Sequence, residues 1–115
     1  MKIEDAVEKI PSLDKKGKVK FIILHGSHAR GEVRKDDGDL CIYYDGTKRE
    51  AFQFRMKVLG ELPDNYDVQI SNLLSLFLRK ECLKGVVPLC RDWEFLYDIA
   101  YRTIEEFEDF KRYYL

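Results

Sequence analysis

Apolar and polar positions divide the chain into short blocks of contrasting period. Val19-Lys20-Phe21-Ile22-Ile23-Leu24 is apolar except at Lys20, and its length and β-branching predict a buried strand over residues 19–24. Residues 39–44 alternate, with Asp39, Cys41 and Tyr43 on one face and Leu40, Ile42 and Tyr44 on the other. Residues 66–70 repeat this pattern: Tyr66, Val68 and Ile70 face one way, Asp67 and Gln69 the other. A short extended segment is predicted over 86–89. Elsewhere the period lengthens. Ile3, Ala6, Val7 and Ile10 mark one face of a helix over 3–10, which Pro11 and Ser12 should end. A second helix is predicted over 48–62, with Phe52, Met56 and Leu59 as its buried stripe. A third, over 72–83, would be capped by Ser71 and closed by Gly85. The last, over 92–113, carries a seam of Leu96, Ala100, Thr103, Phe107, Phe110 and Tyr114.

Strands interleaved with helices predict an α/β (α+β) domain, a single mixed β-sheet with flanking helices, over residues 1–115. The first two strands are joined by a short connection. They should therefore be antiparallel, which excludes a purely parallel, doubly wound sheet. Apolar residues make up 45% of the chain and charged residues 36%, so a folded core is favoured over disorder. With Lys plus Arg at 20 and Asp plus Glu at 21, the net charge of −1 argues against bulk electrostatic binding of nucleic acid. Cys41, Cys82 and Cys90 are odd in number and form no Cys-x-x-Cys pair, so they read as small buried hydrophobes in a reducing compartment. No stretch approaches the ~18 apolar residues of a membrane span, and the acidic N-terminus is not a signal peptide. Cytoplasmic localisation follows by elimination.

The chemistry concentrates in Leu-His-Gly-Ser-His-Ala-Arg-Gly-Glu-Val-Arg-Lys-Asp-Asp-Gly-Asp-Leu, residues 24–40. Gly26 lets backbone approach a phosphate closely, and Ser27 adds a hydroxyl donor. Asp37 and Asp39, at i and i+2, point to one side of a strand and can hold one hard cation such as Mg²⁺ together. A metal-bound nucleoside triphosphate fits this combination. Neither a Walker A loop nor the Gly-x-Gly-x-x-Gly spacing of a dinucleotide site is present.

Gly26-Ser27-His28-Ala29-Arg30-Gly31 followed by Asp37-Gly38-Asp39-Leu40 resembles the signature of the polymerase-β-type nucleotidyltransferases, and within them the minimal nucleotidyltransferase domains. Asp36 stands where that signature has Ser, and Gly38 lies between the two acids. The resemblance implies the nucleotidyltransferase fold and a third acid on a later strand, for which Asp67 is the best match. Asp64 is its rival but lies in a Pro-Asp-Asn turn. It further implies that Asp37, Asp39 and Asp67 are catalytic and hold two Mg²⁺ ions, while Gly26 and Ser27 bind the phosphates of ATP. Arg30 either touches phosphate or braces the loop. AMP, or another nucleoside monophosphate, would pass to a hydroxyl. Domains resembling this one are commonly paired with a small helical HEPN-type toxin, on which the antitoxin adenylylates a tyrosine.

Two other readings remain open. One is a non-catalytic antitoxin module that neutralises its partner by contact and keeps a degenerate nucleotide site. The other is a transferase acting on a small molecule or on RNA. The last predicted helix carries Trp93, Phe95, Tyr97, Tyr101 and Tyr113 beyond its seam, more aromatics than one buried stripe needs. They suit a partner surface, and Glu105, Glu106, Glu108 and Asp109 would favour a basic partner. Self-association is left open. His25 and His28 lie beside the proposed site. With no further histidine to build a zinc site, they read as loop-structural or nucleotide-adjacent. Arg34, Lys35 and the basic turn over 15–20 read as solvated.

Overall fold

A computed structural model describes residues 1–25 and 38–115. The predicted roles of Gly26, Ser27, Arg30 and Asp37 lie outside the described residues, as do those of His28, Arg34 and Lys35. Four strands, β1 (Val19–His25), β2 (Gly38–Tyr44), β3 (Tyr66–Ile70) and β4 (Val86–Cys90), form one sheet in the order β3-β2-β1-β4. β1 is antiparallel to β2 and β4, and β2 is parallel to β3, so the sheet is mixed as expected. Helices α1 (Ile3–Leu13) and α2 (Lys48–Glu61) supply side chains to a core on one face. Helices α3 (Leu76–Cys82) and α4 (Trp93–Tyr114) supply the other. β1 is buried on both faces, which is why its sequence is almost continuously apolar: Ile22 and Leu24 join the first core, Phe21 and Ile23 the second. No helix among the described residues is long and apolar enough to cross a membrane.

Several local expectations are corrected. α1 runs through Pro11 to Leu13. Proline removes one helical donor, and the end of the helix is instead closed by Asp14 N–H donating to the Pro11 carbonyl at 3.1 Å. α2 buries Ala51, Phe54 and Val58, while Phe52 and Met56 are exposed. Two apolar stripes compete on this helix. Stacking of Phe54 on Tyr44 (centroids 4.8 Å apart) belongs to the stripe that faces the sheet. Ser71 does not cap a helix but opens a 3-10 turn over Ser71–Leu73. There the Asn72 side chain both accepts from Tyr44 N–H (3.2 Å) and donates to Tyr44 C=O (2.9 Å), holding the turn against the end of β2. Ser75 caps α3 instead, accepting from Leu78 N–H. On α4 the seam is buried at Leu96 and Thr103, but Phe110 and Tyr114 are exposed because the last turns run past the layer that covers the sheet. Phe95, read as surplus, belongs to the second core, where its ring meets Tyr43 edge-on at 5.0 Å.

Gly85 does not close a helix with a left-handed conformation, since among the described residues only Gly17 has positive φ. Its role is close approach. A Cβ at this position would collide with the Leu24 carbonyl oxygen and lie 2.8 Å from Ile23 Cγ2, so only glycine lets the start of β4 lie against β1. Gly85→Ala should therefore destabilise the domain by about 1–3 kcal/mol through overpacking. Thermal unfolding followed by circular dichroism should show a fall of more than ~4 °C.

Candidate active site and the family of the chain

The end of β1 and the starts of β2 and β3 lie side by side at one end of the sheet. Pairing places His25 opposite Asp39, and Asp39 opposite Asp67. These three residues form a row across three strands, on the face that also carries Cys41 and Gln69. Two features of the chain create the row. The alternation of β2 and β3 keeps Leu40, Ile42, Val68 and Ile70 in the first core, so the odd-numbered polar residues must face the other way. The α2 crossover then returns the chain parallel to β2 in the register that aligns the two acids. Neighbouring strands lie roughly 4.8 Å apart, so both carboxylates can reach one ion.

Asp67 is exposed and Asp39 half-buried. The Gln69 side-chain amide donates to both Asp67 oxygens, at 3.4 and 3.3 Å, and so orients the carboxylate. Among the described residues, Asp39 and Asp67 form no salt bridge with Lys or Arg. Like charges directly opposite on a sheet repel. An all-oxygen donor pair suits a hard divalent cation that also binds phosphate oxygens. Asp64 is exposed in the turn whose Tyr66 N–H donates to Pro63 C=O at 3.1 Å, outside the paired register. Of the predicted acids, the structure thus brings Asp39 and Asp67 together.

Behind this pair lies a cluster that sequence reasoning missed. One ligand-type atom each from His25, Cys41 and Cys82 lie within 4.8 Å of one another. Hydrogen bonding to Cys82 raises the His25 pKa against the opposing effect of burial, and the fields of Cys82, Asp39 and Asp67 reinforce the rise. Donation from Cys41 and His25 lowers the Cys82 pKa despite burial, whereas the same hydrogen bond and burial raise that of Cys41. His25 thus stands beside two thiols rather than beside a second described histidine. Alternation had placed Cys41 on the Asp39 face, but nothing around Cys82 marks it as a neighbour of His25.

The sequence model of the family described as "Polymerase beta, Nucleotidyltransferase" matches residues 8–94. A candidate protein adenylyltransferase of Methanocaldococcus jannaschii is 34% identical over 69 residues, covering 59% of this chain and 52% of that protein. The chain thus matches about half the length of that relative. Among solved structures, a chain from a toxin–antitoxin crystal structure with AMP-PNP superposes with a TM-score of 0.72 at 18% identity, covering 96% of this chain and 90% of the other. A chain from the complex of a tri-AMPylated Shewanella oneidensis HEPN toxin with an MNT antitoxin gives a TM-score of 0.69 at 17% identity, covering 95% and 89%. At these identities the structural matches establish the shared fold. The family match spans most of the chain and includes both paired acids, so this chain belongs to the polymerase-β-type nucleotidyltransferases.

Proposed function

We propose that the chain transfers AMP from ATP to a hydroxyl group, a tyrosine on a small helical HEPN-type partner, and thereby acts as an antitoxin. The observation that carries this reading is the in-register Asp39–Asp67 pair at the end of the sheet. Its family membership supports transfer of a nucleoside monophosphate. The names of its relatives, a protein adenylyltransferase and an antitoxin bound to an AMPylated toxin, support a protein acceptor.

Asp39 and Asp67, with Asp37, would hold Mg²⁺, and Gly26 and Ser27 would receive the phosphates. When bound there, such a cation would supply positive charge against the triphosphate and the reacting oxygens. Asp67, held by Gln69, would accept the proton of the acceptor hydroxyl. The hydroxyl oxygen then forms a bond to the α-phosphorus as the bond to the bridging oxygen breaks, and pyrophosphate leaves. Arg30 contributes either a phosphate contact or a brace for its loop. The partner surface is α4, where Trp93, Tyr97 and Tyr101 stand one turn apart and are all exposed, and where four acidic side chains follow.

The same helix supports a second reading, neutralisation by contact without transfer. ATP labelled at the α-phosphate, incubated with Mg²⁺, this chain and a small helical HEPN-type protein that it neutralises, distinguishes the two. Transfer predicts label on a partner tyrosine, lost with EDTA. Absence of label from a fully neutralised partner would overturn it.

A further inference from the structure

We propose that His25, Cys41 and Cys82 form a binding site for Zn²⁺ that clasps α3 to the sheet behind the acid pair. The three residues end β1, sit within β2 and end α3, respectively, so an ion between them would tie together three elements. Their donor atoms already lie within 4.8 Å of one another. Tetrahedral zinc with bonds of about 2.0–2.3 Å needs donors roughly 3.4–3.8 Å apart, so the closure required is about one ångström. Cys82 is the terminal residue of α3 and is followed by the Leu83–Gly85 turn, where a small shift disturbs little regular structure.

The donor set selects the class of metal. Two sulfurs and an imidazole suit zinc and other soft or borderline ions, whereas Mg²⁺ prefers oxygen. The site is therefore chemically distinct from the carboxylates next to it, although His25 is the strand partner of Asp39. Two cysteines and one histidine leave a fourth tetrahedral position for water or another exogenous ligand. Access is available: His25 is half-buried, and Cys82 lines a cavity of about 300 Å³ with Phe21, Ile23, Tyr43 and Ile99. Cys90 is a free thiol that is not part of the cluster and so provides an internal control. This proposal does not depend on the transfer reading, because the ligands differ and its readouts require no catalysis.

The test uses the full chain, reduced, with Zn²⁺ or Co²⁺ as the only added metal. Co²⁺ should bind at one equivalent and produce thiolate-to-metal charge-transfer absorption, which Zn²⁺ abolishes by displacement. A large excess of Zn²⁺ over its Kd should raise Tm by roughly 5 °C or more. Cys82→Ala, Cys41→Ser and His25→Ala should each weaken binding at least ~10-fold, the minimum expected when a direct ligand is lost. Asp39→Asn combined with Asp67→Asn should leave the cobalt spectrum intact. Because Cys41 is buried and its variant can misfold, alkylation of the wild-type chain supplies a second measurement: Zn²⁺ should slow labelling of Cys41 and Cys82 but not of Cys90. Lack of the charge-transfer band, its survival in Cys82→Ala, or equal labelling of all three thiols with and without Zn²⁺ would overturn the proposal.

Discussion

Replacing Asp39 with asparagine is expected to reduce AMP transfer at least ~100-fold, and Asp67→Asn should do the same. Groups that merely orient a metal ligand are worth roughly 10–100-fold, so removing a direct carboxylate ligand should cost at least the upper end of that range. On the proposed mechanism the loss should fall on the rate at saturating ATP and Mg²⁺, because a cation held there would act on charge that develops during transfer. Stability should move the other way or not at all. The two acids face each other across β2 and β3, and neutralising one relieves repulsion between like charges. An unchanged or higher Tm together with lost transfer would separate chemistry from misfolding. Full transfer by the double variant would remove the acid pair from the mechanism. Full neutralisation of the proposed partner without transfer would assign that effect to contact alone.

A second substitution with a large effect lies far from this site. Asp14→Ala is expected to destabilise the domain by about 3–5 kcal/mol, a large share of the 5–15 kcal/mol typical of whole domains. The Asp14 side chain is 1% exposed and accepts three hydrogen bonds: from Lys18 N–H (2.9 Å), Val19 N–H (2.8 Å) and Arg91 Nη1 (3.0 Å). It thus joins the end of α1 to the first residue of β1 and to the residue after β4. Alanine leaves the two amides without their acceptor, and that of fully buried Val19 cannot turn to water. Arg91, 39% exposed, is resolvated when Asp14 is lost, and Arg91→Ala leaves Asp14 with both backbone amides, so that variant should cost less. Thermal unfolding should show a fall of more than ~10 °C for Asp14→Ala. Asp14→Asn, which keeps one acceptor oxygen, should fall between the two. Equal losses for Asp14→Ala and Arg91→Ala would mean that the ion pair, and not the backbone amides, carries the stability.

The paired strands were legible because their pattern has a period of two and a strong penalty attaches to reversing it. Burying Asp67 and Gln69 in place of Val68 and Ile70 is not a competitive alternative, so β3 could face only one way. Helix faces were less legible. α2 offers two apolar stripes at helical spacing, and its approach to the sheet, with Phe54 on Tyr44, decides between them. Ser71 and Ser75 are both competent caps by type. The docking of Asn72 against Tyr44 diverts the chain into a 3-10 turn and leaves the cap to Ser75. The α4 seam continues through Tyr114, but only its earlier part meets other elements of the fold.

Residue order alone determined the mixed architecture, the apolar character of β1, the outward-facing acids of β2 and β3, and the family signature over residues 26–40. These rest on local period and residue type, which act over a few positions. Tertiary structure alone decided that Asp39 and Asp67 stand side by side, because that depends on the register in which the α2 crossover returns the chain. It also decided that Cys82, 41 positions after Cys41 in the sequence, closes on Cys41 and His25. Such contacts between distant segments leave no periodic trace in the chain, and only packing of α3 against the sheet creates them.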